Sequence, residues 1–459
     1  MILYSLYKPI MKILAILMQC FCIYTAGKNM KILIQIIRHG SRNYIHEINN
    51  LKLEKSTATF LTRTGIRSSF LLGSAIRKTY SDFFDQLPIP QAVEAKASSS
   101  ERTMMTGASF LYGLFSDHKL NKLDTTEAYT LKPPVKDFNI DHAERDSTTL
   151  PNNFYPIPVM TYYRNNLFLD GLHRCPRSGQ QVDDFIDAYS KDVIYELQPT
   201  IDYLDSLGYS AQAAYGVEEL TFRQLSNLCD TLFSLIWTQS KSSPNDIMLI
   251  AHCRYVLALS QFVIFQNDTI ARDVHLARYI LFQDIIDRYN DNQLPLYVPV
   301  FAHDDTVTSM LSLSRDNFYC ILDAYRHEFV DSTIATDPQC ITSIPYNANI
   351  TLEIFTKEDP LKLYIQGLYN GEPYDLCDIE SECTLKYFMD MFKAKIAKTN
   401  YNDACGAEVF EKYSNYMLFK QCLAFILTSV LFLVLLVYLH SLRPSPNKRK
   451  FRTIERSRV

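Results

Sequence analysis

The sequence predicts an α/β fold, a mixed sheet flanked by helices, with a mostly helical cap insertion. Apolar, β-branched runs at 31–37 and 294–303 have the composition of buried strands, and amphipathic helical patterns lie between them. Residues 349–357 and 361–369 alternate polar and apolar side chains like paired antiparallel strands. Roughly within 116–245, loops rich in Asp, Asn, Pro and Tyr are mixed with helical patterns, which places the cap there.

The first strand (31–37) is followed by a loop and then by a helix within 56–80. Five residues of this helix recur at helical spacing and predict one face packed on the sheet: Ile66, Phe70, Gly73, Ile76 and Tyr80. Residues 91–115 then predict a strand, a polar turn and a second helix.

Residues 219–239 have a helical pattern with a strong apolar face, and 247–290 continues mainly helical. His252 lies in this region without an adjacent carboxylate, so we interpret it as a core histidine. The next predicted strand ends at His303. Because chemistry in such sheets lies beyond the carboxyl ends of the strands, His39 and His303 are both placed where a site would form.

Both ends of the chain carry apolar segments of different kinds. The run at 13–26, preceded by two lysines, is short for a membrane span and typical of a signal peptide over 1–26, with cleavage after Ala26 or Gly27. Residues 27–412 are then expected to form a luminal or extracellular domain.

Near the other end, Cys422 to Leu439 are eighteen residues without a charge, which predicts a transmembrane helix over 417–439. A buried core helix is the alternative. The tail at 440–459 has seven Lys or Arg and one Glu, and basic residues stay on the cytoplasmic side of a membrane. We therefore expect a single-pass type I membrane protein, in the lysosome, in vesicles or at the cell surface.

The chain has a formal net charge of −4, so its basic tail leaves the preceding region strongly acidic, which argues against a nucleic-acid partner. Eight of the eleven cysteines fall in the expected outer domain, and an even number in an oxidising compartment indicates disulfides. No zinc-type spacing of Cys and His occurs, so we expect no metal and no cofactor. Asn267 and Asn349 begin N-x-T sequons, which are glycosylation acceptors if the domain is luminal.

The motif R-H-G-S-R at 38–42 is the most specific chemical signal in the chain. It places His39 between Arg38 and Arg42 on a turn directly after a predicted strand. Guanidinium groups match phosphate oxygens in a bidentate way, and a neutral imidazole is a competent nucleophile. The motif therefore predicts a phosphoryl-transfer site that forms a phosphohistidine.

Two distant motifs agree with this interpretation. In F-A-H-D-D-T at 301–306, His303 offers a phosphate ligand and Asp304 a general acid for the leaving oxygen. Arg102, between a predicted strand and a helix, supplies a third guanidinium for the three oxygens that carry the transition-state charge.

Together these motifs resemble the histidine acid phosphatase family, which includes the lysosomal and prostatic acid phosphatases. The resemblance covers most of 30–410 and rests on motifs in the same order along the chain. They are R-H-G-x-R at 38–42, L-T-x-x-G-I-R with L-G-x-x-I-R at 61–77, E-R-T at 101–103, F-Y-P-I-P-V-M-T at 154–161, H-R-C-P-R in the cap and A-H-D at 302–304. The proline often found after the second loop arginine is absent here.

The resemblance implies a phosphoglycerate-mutase-like fold, His39 as nucleophile and Asp304 as proton donor. It implies a set of phosphate ligands, namely Arg38, Arg42, Arg102 and His303. It also implies the disulfides Cys175–Cys405 and Cys377–Cys383, leaves Cys229, Cys253, Cys320 and Cys340 unassigned, and makes a homodimer plausible.

The expected activity is acid hydrolysis of small phosphomonoesters. Two alternatives stay open at this point. One is an inositol-polyphosphate phosphatase or phytase, although such relatives tend to carry H-A-E where this chain has His303 and Asp304. The other is a catalytically silent binding protein on a phosphatase scaffold, since a fold does not by itself define a function.

Overall fold

A computed structural model describes residues 28–49, 59–116, 150, 154–161, 176–238, 244–293, 295–315, 317–377 and 380–397. The predicted signal peptide, transmembrane helix and basic tail lie outside these residues, as do Cys175 and Cys405. Those predictions therefore stay predictions.

A mixed sheet forms the centre of the described chain. Its strands are β1 (Asn29–Arg38), β2 (Ala95–Ala97), β3 (Val159–Thr161), β4 (Tyr297–Ala302), β5 (Asn349–Thr356), β6 (Leu363–Tyr369), β7 (Glu372–Pro373) and β8 (Glu382–Thr384). The strand order is β3-β2-β4-β1-β5-β6-β7, and β8 pairs with β6. The mixed sheet predicted from the sequence is confirmed, including the antiparallel pairing of β5 with β6.

The described helices surround this sheet. They are α1 (Arg63–Thr79), α2 (Ser81–Gln86), α3 (Glu101–Leu114), α4 (Pro176–Glu196), α5 (Gln198–Ser206), α6 (Ala211–Tyr215), α7 (Phe222–Thr238), α8 (Pro244–Phe262), α9 (Asp268–Asn290), α10 (Asp304–Leu311), α11 (Asn317–Phe329) and α12 (Leu385–Lys395). Helices α4 to α7 lie in the region where the sequence predicts the cap.

Strand β1 is buried along most of its length because helices cover both faces of the sheet. Its side chains alternate between two apolar cores. Leu33 and Ile37 pack in one core with Phe110 and other side chains of α3, and Ile34 and Ile36 pack in a second core with α7 to α11. The carboxyl end of β1 thereby lies between the two cores.

Helix α1 packs differently from its sequence prediction. Its buried residues are Gly65, Ser69 and Gly73, whereas Ile66, predicted on the inner face, is 40% exposed. Ile76 and Tyr80 do pack against a core that contains sheet residues. The small residues face inward because α1 lies very close to α3, where a Cβ on Gly73 would be 2.0 Å from the carbonyl oxygen of Phe110.

This close contact makes Gly73 sensitive to substitution. We expect Gly73→Ala to reduce the free energy of unfolding by about 2 kcal/mol, because the added methyl overlaps backbone that cannot move without separating the helices. Ile66→Ala on the same helix is the control and should change it by no more than about 0.5 kcal/mol. Chemical denaturation of the full chain measures both, and a larger loss for Ile66→Ala would contradict the packing described.

His252 lies in α8 and is a core residue, as predicted. Its imidazole stacks between the rings of Tyr203 and Phe329, with centroid distances of 4.5 and 3.9 Å, and its Nδ1 lies 3.0 Å from the hydroxyl of Thr200. Among the described residues, the stretch Asn245–Gln266 is long and apolar enough to cross a membrane by length and composition. It is largely buried inside the protein, which is typical of a core helix.

The structure pairs six of the outer-domain cysteines, as Cys229–Cys253, Cys320–Cys340 and Cys377–Cys383. The last pair is one of the two that the family resemblance implied. The prediction that Asn349 accepts a glycan is corrected. Asn349 is the first residue of β5 and is 7% exposed, and a glycan acceptor needs an accessible amide. Asn267 instead caps α9, where its side-chain oxygen accepts hydrogen bonds from the backbone N–H groups of Thr269 and Ile270, and it stays a predicted acceptor.

Candidate active site

The sheet brings the two histidine motifs together. Strands β1 and β4 are parallel neighbours, with Arg38 opposite Ala302, so the polypeptide leaves both strands at the same end of the sheet. The backbone N–H of His39 donates to the carbonyl oxygen of Ala302 at 3.0 Å. The imidazole centroids of His39 and His303 are 5.5 Å apart. The register of these strands therefore places the two predicted histidines in one site.

The loop after β1 is attached to the flanking helices. The backbone N–H of Gly40 donates to the hydroxyl of Thr106 at 3.0 Å, and that of Thr62 donates to the carbonyl oxygen of Ser41 at 2.9 Å. Thr62 is also the N-cap of α1. A side chain at position 40 would meet the carbonyl oxygen of Gly65 at 2.8 Å, so this position requires glycine. These contacts support the loop from both sides.

His39 has a defined protonation pattern. Its Nδ1 lies 2.9 Å from the carbonyl oxygen of Gly40, and a carbonyl oxygen only accepts, so Nδ1 carries the hydrogen. In the neutral ring the lone pair is therefore on Nε2. His39 is 2% exposed. Burial lowers its pKa well below the ordinary value, and the charges of Arg102 and Arg38 lower it further, so the ring stays neutral in mild acid.

His303 directly follows β4 and contacts two groups near the carboxyl end of β2. Its Nε2 lies 2.9 Å from the hydroxyl of Ser98, and Nη2 of Arg102 lies 3.3 Å from its Nδ1. Because the guanidinium can only donate, Nδ1 accepts and Nε2 carries the hydrogen. Burial and the charge of Arg102 lower the pKa of His303 to about 3. Arg102 itself keeps its charge, since burial lowers its pKa only to about 10.

Asp304 is the first residue of α10 and forms an ion pair with Arg38, with Nη2 and Oδ2 2.8 Å apart. Burial raises the pKa of this carboxyl, but the charges of Arg38 and Arg42 outweigh burial and lower it below the ordinary value. The helix N-terminus also favours a carboxylate. Asp304 is therefore ionised in the ligand-free protein, and Arg38 would have to be engaged by another anion before Asp304 could hold a proton.

Arg42 contacts a residue that the sequence analysis missed. Its Nη2 lies 3.0 Å from both carboxylate oxygens of Asp230 on α7, and its Nη1 lies 3.3 Å from the hydroxyl of Ser234 on the same helix. Burial lowers the pKa of Arg42, but Asp230 more than offsets this and raises it above the ordinary value. The signal in the sequence was an acidic residue in the middle of the apolar pattern of 219–239.

Tyr346 lies beside the site and was also missed by the sequence analysis. Its ring lies 4.7 Å from the guanidinium of Arg38 and 5.8 Å from the imidazole of His39. Its hydroxyl is 2.8 Å from that of Ser234. Tyr346 lies in an irregular segment before β5 that has no recognisable motif, so no sequence pattern could identify it.

The site is rich in buried donors. The Nε atoms of Arg38, Arg42 and Arg102 are buried and have no hydrogen-bond partner within the described ranges. Such donors are costly unless an anion accepts from them. Among the residues that the structure describes, no group of three or more His, Cys, Asp or Glu could hold a metal ion. The arrangement suits a tetrahedral oxyanion beside the neutral imidazole of His39.

Fold and site together define the class of histidine-dependent phosphoryl-transfer proteins. Residues 26–248 match the histidine phosphatase superfamily (branch 2). The chain is 22% identical to prostatic acid phosphatase of Bos taurus over 313 residues, which cover 65% of this chain and 72% of that protein. The resemblance to the histidine acid phosphatase family predicted from the sequence is confirmed, and both similarities support a phosphatase.

Solved structures share this fold at low sequence identity. The phytase of Citrobacter braakii has a TM-score of 0.51 and 12% identity, with 81% of this chain and 100% of that chain covered. The phytase of D. castellii has a TM-score of 0.51 and 16% identity, with 83% and 82% covered. These similarities establish the architecture and leave the substrate open.

Proposed function

We propose that the protein hydrolyses phosphate monoesters through a phosphohistidine intermediate and is most active in acid. The observation that carries this proposal is the protonation pattern of His39. Its Nδ1 hydrogen is held by the carbonyl oxygen of Gly40, so the lone pair of Nε2 is available beside the guanidiniums of Arg38, Arg42 and Arg102. A neutral nucleophile in a cationic pocket is what an attack on a phosphate monoester requires.

In the first step, Nε2 of His39 forms a bond to phosphorus while the bond to the ester oxygen breaks. Asp304 gives its proton to that oxygen, so an alcohol leaves. In the second step, a water oxygen attacks phosphorus and the P–N bond breaks, with Asp304 now accepting the water proton. Inorganic phosphate is the product, and positioning and charge neutralisation supply most of the rate.

The arginines connect phosphate binding to the proton donor. Because Asp304 is ionised while it pairs with Arg38, it is a poor acid in the ligand-free protein. A substrate phosphate that accepts from Arg38 would remove this stabilisation and place negative charge near the carboxylate, which raises its pKa. Substrate binding would therefore bring Asp304 into its proton-donating form.

Inositol polyphosphates are the second candidate substrate class, because the solved structures of this fold described above are phytases. The direct sequence His303-Asp304 favours general monoesters. A catalytically silent binding protein is disfavoured because the nucleophile, the acid and the three arginines are present and assembled in one site.

We further propose that 27–412 is a luminal or extracellular domain, that 1–26 is a signal peptide and that 417–439 anchors the protein as a single-pass type I membrane protein. The disulfides Cys229–Cys253, Cys320–Cys340 and Cys377–Cys383 support this orientation, since disulfides persist in oxidising compartments. The homodimer, the Cys175–Cys405 disulfide and a glycan on Asn267 stay predictions.

The expected pH profile follows from the lowered pKa of His39 and from the need for a proton on Asp304. As the pH falls below 6.5 an ordinary histidine becomes protonated and loses its nucleophilic lone pair, but the lowered pKa of His39 keeps it neutral. As the pH rises, the proton on Asp304 is lost and turnover falls. Hydrolysis of p-nitrophenyl phosphate by the full chain should therefore peak below pH 7 and should be unaffected by EDTA, because the proposed steps use only protein groups.

Running the same profile with inositol hexakisphosphate separates the two substrate classes, since a higher kcat/KM for it would favour the phytase alternative. A neutral or alkaline maximum, or inactivation by EDTA, would contradict the proposed mechanism. A folded protein that binds phosphate but turns over neither substrate would support the binding protein.

A further inference from the structure

One face of the cap helix α7 lies against the phosphate loop. Asp230, Phe233, Ser234 and Trp237 are spaced three and four residues apart, so they share one side of the helix. Asp230 and Ser234 contact Arg42, while the rings of Phe233 and Trp237 contact Tyr346 at centroid distances of 5.8 and 6.3 Å. The cap thus reaches the catalytic loop through a short set of specific contacts.

These contacts occupy most of the hydrogen-bonding capacity of Arg42. Nη2 lies 3.0 Å from both oxygens of Asp230, and Nη1 donates to the carbonyl oxygen of Asn43 at 3.1 Å and to the hydroxyl of Ser234 at 3.3 Å. The buried Nε is the donor that has no partner in the part of the chain that the structure describes. A phosphate that needs a bidentate contact from Arg42 must therefore compete with Asp230.

Asp230 also changes the charge of the site. Arg38, Arg42 and Arg102 are balanced by the carboxylates of Asp304 and Asp230, while His39 and His303 are neutral, which leaves a single net positive charge. When Asp304 takes up a proton, the site carries two positive charges and matches a phosphate dianion. Without Asp230 the site with a protonated Asp304 would carry three positive charges. Inorganic phosphate, a dianion, would then be left after each turnover in a pocket with an excess of positive charge.

We propose that Asp230 is a positioning residue that holds the Nη edge of Arg42 against α7 and thereby limits how tightly inorganic phosphate is retained. The consequence for turnover rests on the proposed function, because only a phosphatase must release phosphate in every cycle. The consequence for binding does not depend on turnover. Both follow from the competition between one carboxylate and one phosphate for the same guanidinium.

The test is Asp230→Asn in the full chain, with the affinity for inorganic phosphate measured by isothermal titration calorimetry at pH 6. We expect phosphate to bind about ten-fold more tightly, because a neutral amide competes with the anion for Arg42 much less than the carboxylate does. With p-nitrophenyl phosphate, KM and the inhibition constant of phosphate should fall together, and kcat should fall because product leaves more slowly. Asp230→Glu, which keeps the charge, should restore both constants to within about two-fold of wild type.

Asp183→Asn is the matched control. Asp183 of α4 pairs at 2.8 Å with Arg223, which lies on α7 like Asp230, but this ion pair is on the exposed surface. This variant should leave phosphate affinity unchanged. In an Arg42→Gln background, Asp230→Asn should tighten phosphate binding much less than in wild type, because the contact through which it acts is gone. Equal tightening in both backgrounds would overturn the role of Arg42.

Unchanged or weaker phosphate binding by folded Asp230→Asn would overturn the proposal and leave a purely structural ion pair. If this variant does not fold, Ser234→Ala supplies the test, because it removes the contact of Nη1 with the Ser234 hydroxyl while keeping the buried ion pair with Asp230. It should tighten phosphate binding by about two-fold, and an equal or weaker affinity would count against the proposal. Absence of turnover in the wild type would contradict the proposed function but would leave these binding measurements valid.

Discussion

Replacement of His39 by alanine is expected to lower kcat for p-nitrophenyl phosphate by at least about ten-thousand-fold, because no other group can form the covalent intermediate. His39 is buried beside three guanidiniums. Its Nε2 keeps a lone pair because the ring hydrogen is on Nδ1, which donates it to the carbonyl oxygen of Gly40. Binding of inorganic phosphate should persist, since the arginines are unchanged. Rapid quenching of the wild type with radiolabelled substrate should trap an acid-labile, alkali-stable phosphoenzyme that the variant lacks.

A matched control is available in His327. Its Nδ1 also lies close to a backbone carbonyl oxygen, that of Ile334 at 2.8 Å, but it lies in the last turn of α11 and not at a strand end. His327→Ala should keep turnover within about two-fold of the wild type, as expected for a residue outside the site. Full activity in His39→Ala, or a phosphoenzyme formed on another residue, would rule out the proposed nucleophile.

Replacement of Asp304 by asparagine is expected to have an effect that depends on the leaving group. Turnover of an alkyl phosphate such as glycerol phosphate should fall by about a hundred- to ten-thousand-fold, the usual contribution of a general acid. p-Nitrophenyl phosphate should be affected less, because its phenolate leaves with little protonation. The decline of activity towards alkaline pH should also flatten, since the group that loses its proton there is gone.

Asp268→Asn is the control for this effect. Asp268 is the first residue of α9, as Asp304 is of α10, so both carboxylates lie at a helix N-terminus, but Asp268 lines a different cavity, with Arg272 and His275. The control should change neither the pH profile nor the leaving-group dependence. An equal loss on both substrates with Asp304→Asn would indicate that Asp304 positions Arg38 and is not the proton donor.

Fold predictions succeeded where a local pattern and the packing agree. β-Branched runs became buried strands because apolar side chains on both faces leave no other stable environment for them. The fold predictions failed where the packing of neighbouring elements, and not the hydrophobicity of a side chain, decides which residues face inward. Ile66 has the right spacing for the inner face of α1, yet the inner face is made of small residues, because only they allow α1 and α3 to approach so closely. Asn349 begins a glycosylation sequon in the sequence, but in the structure it is a buried residue of a sheet strand.

The candidate site shows the same division. His39, Arg38, Arg42, His303 and Asp304 were identifiable because each lies in a short motif at the end of a predicted strand. Asp230 and Tyr346 were not, since their importance comes only from contact with Arg42 and Arg38 across more than 180 residues of chain.

The sequence by itself determined the proposed chemistry: which side chains are candidates to attack, donate a proton and bind phosphate, and at which strand ends they lie. These are local properties, set by residue type and by the pattern of a few neighbours. The tertiary structure alone decided the state of those groups, namely which nitrogen of His39 is free, that Asp304 pairs with Arg38, and that Asp230 holds Arg42. Protonation and charge pairing depend on burial and on distances of about 3 Å between residues far apart in the chain, and only the packed molecule sets those distances.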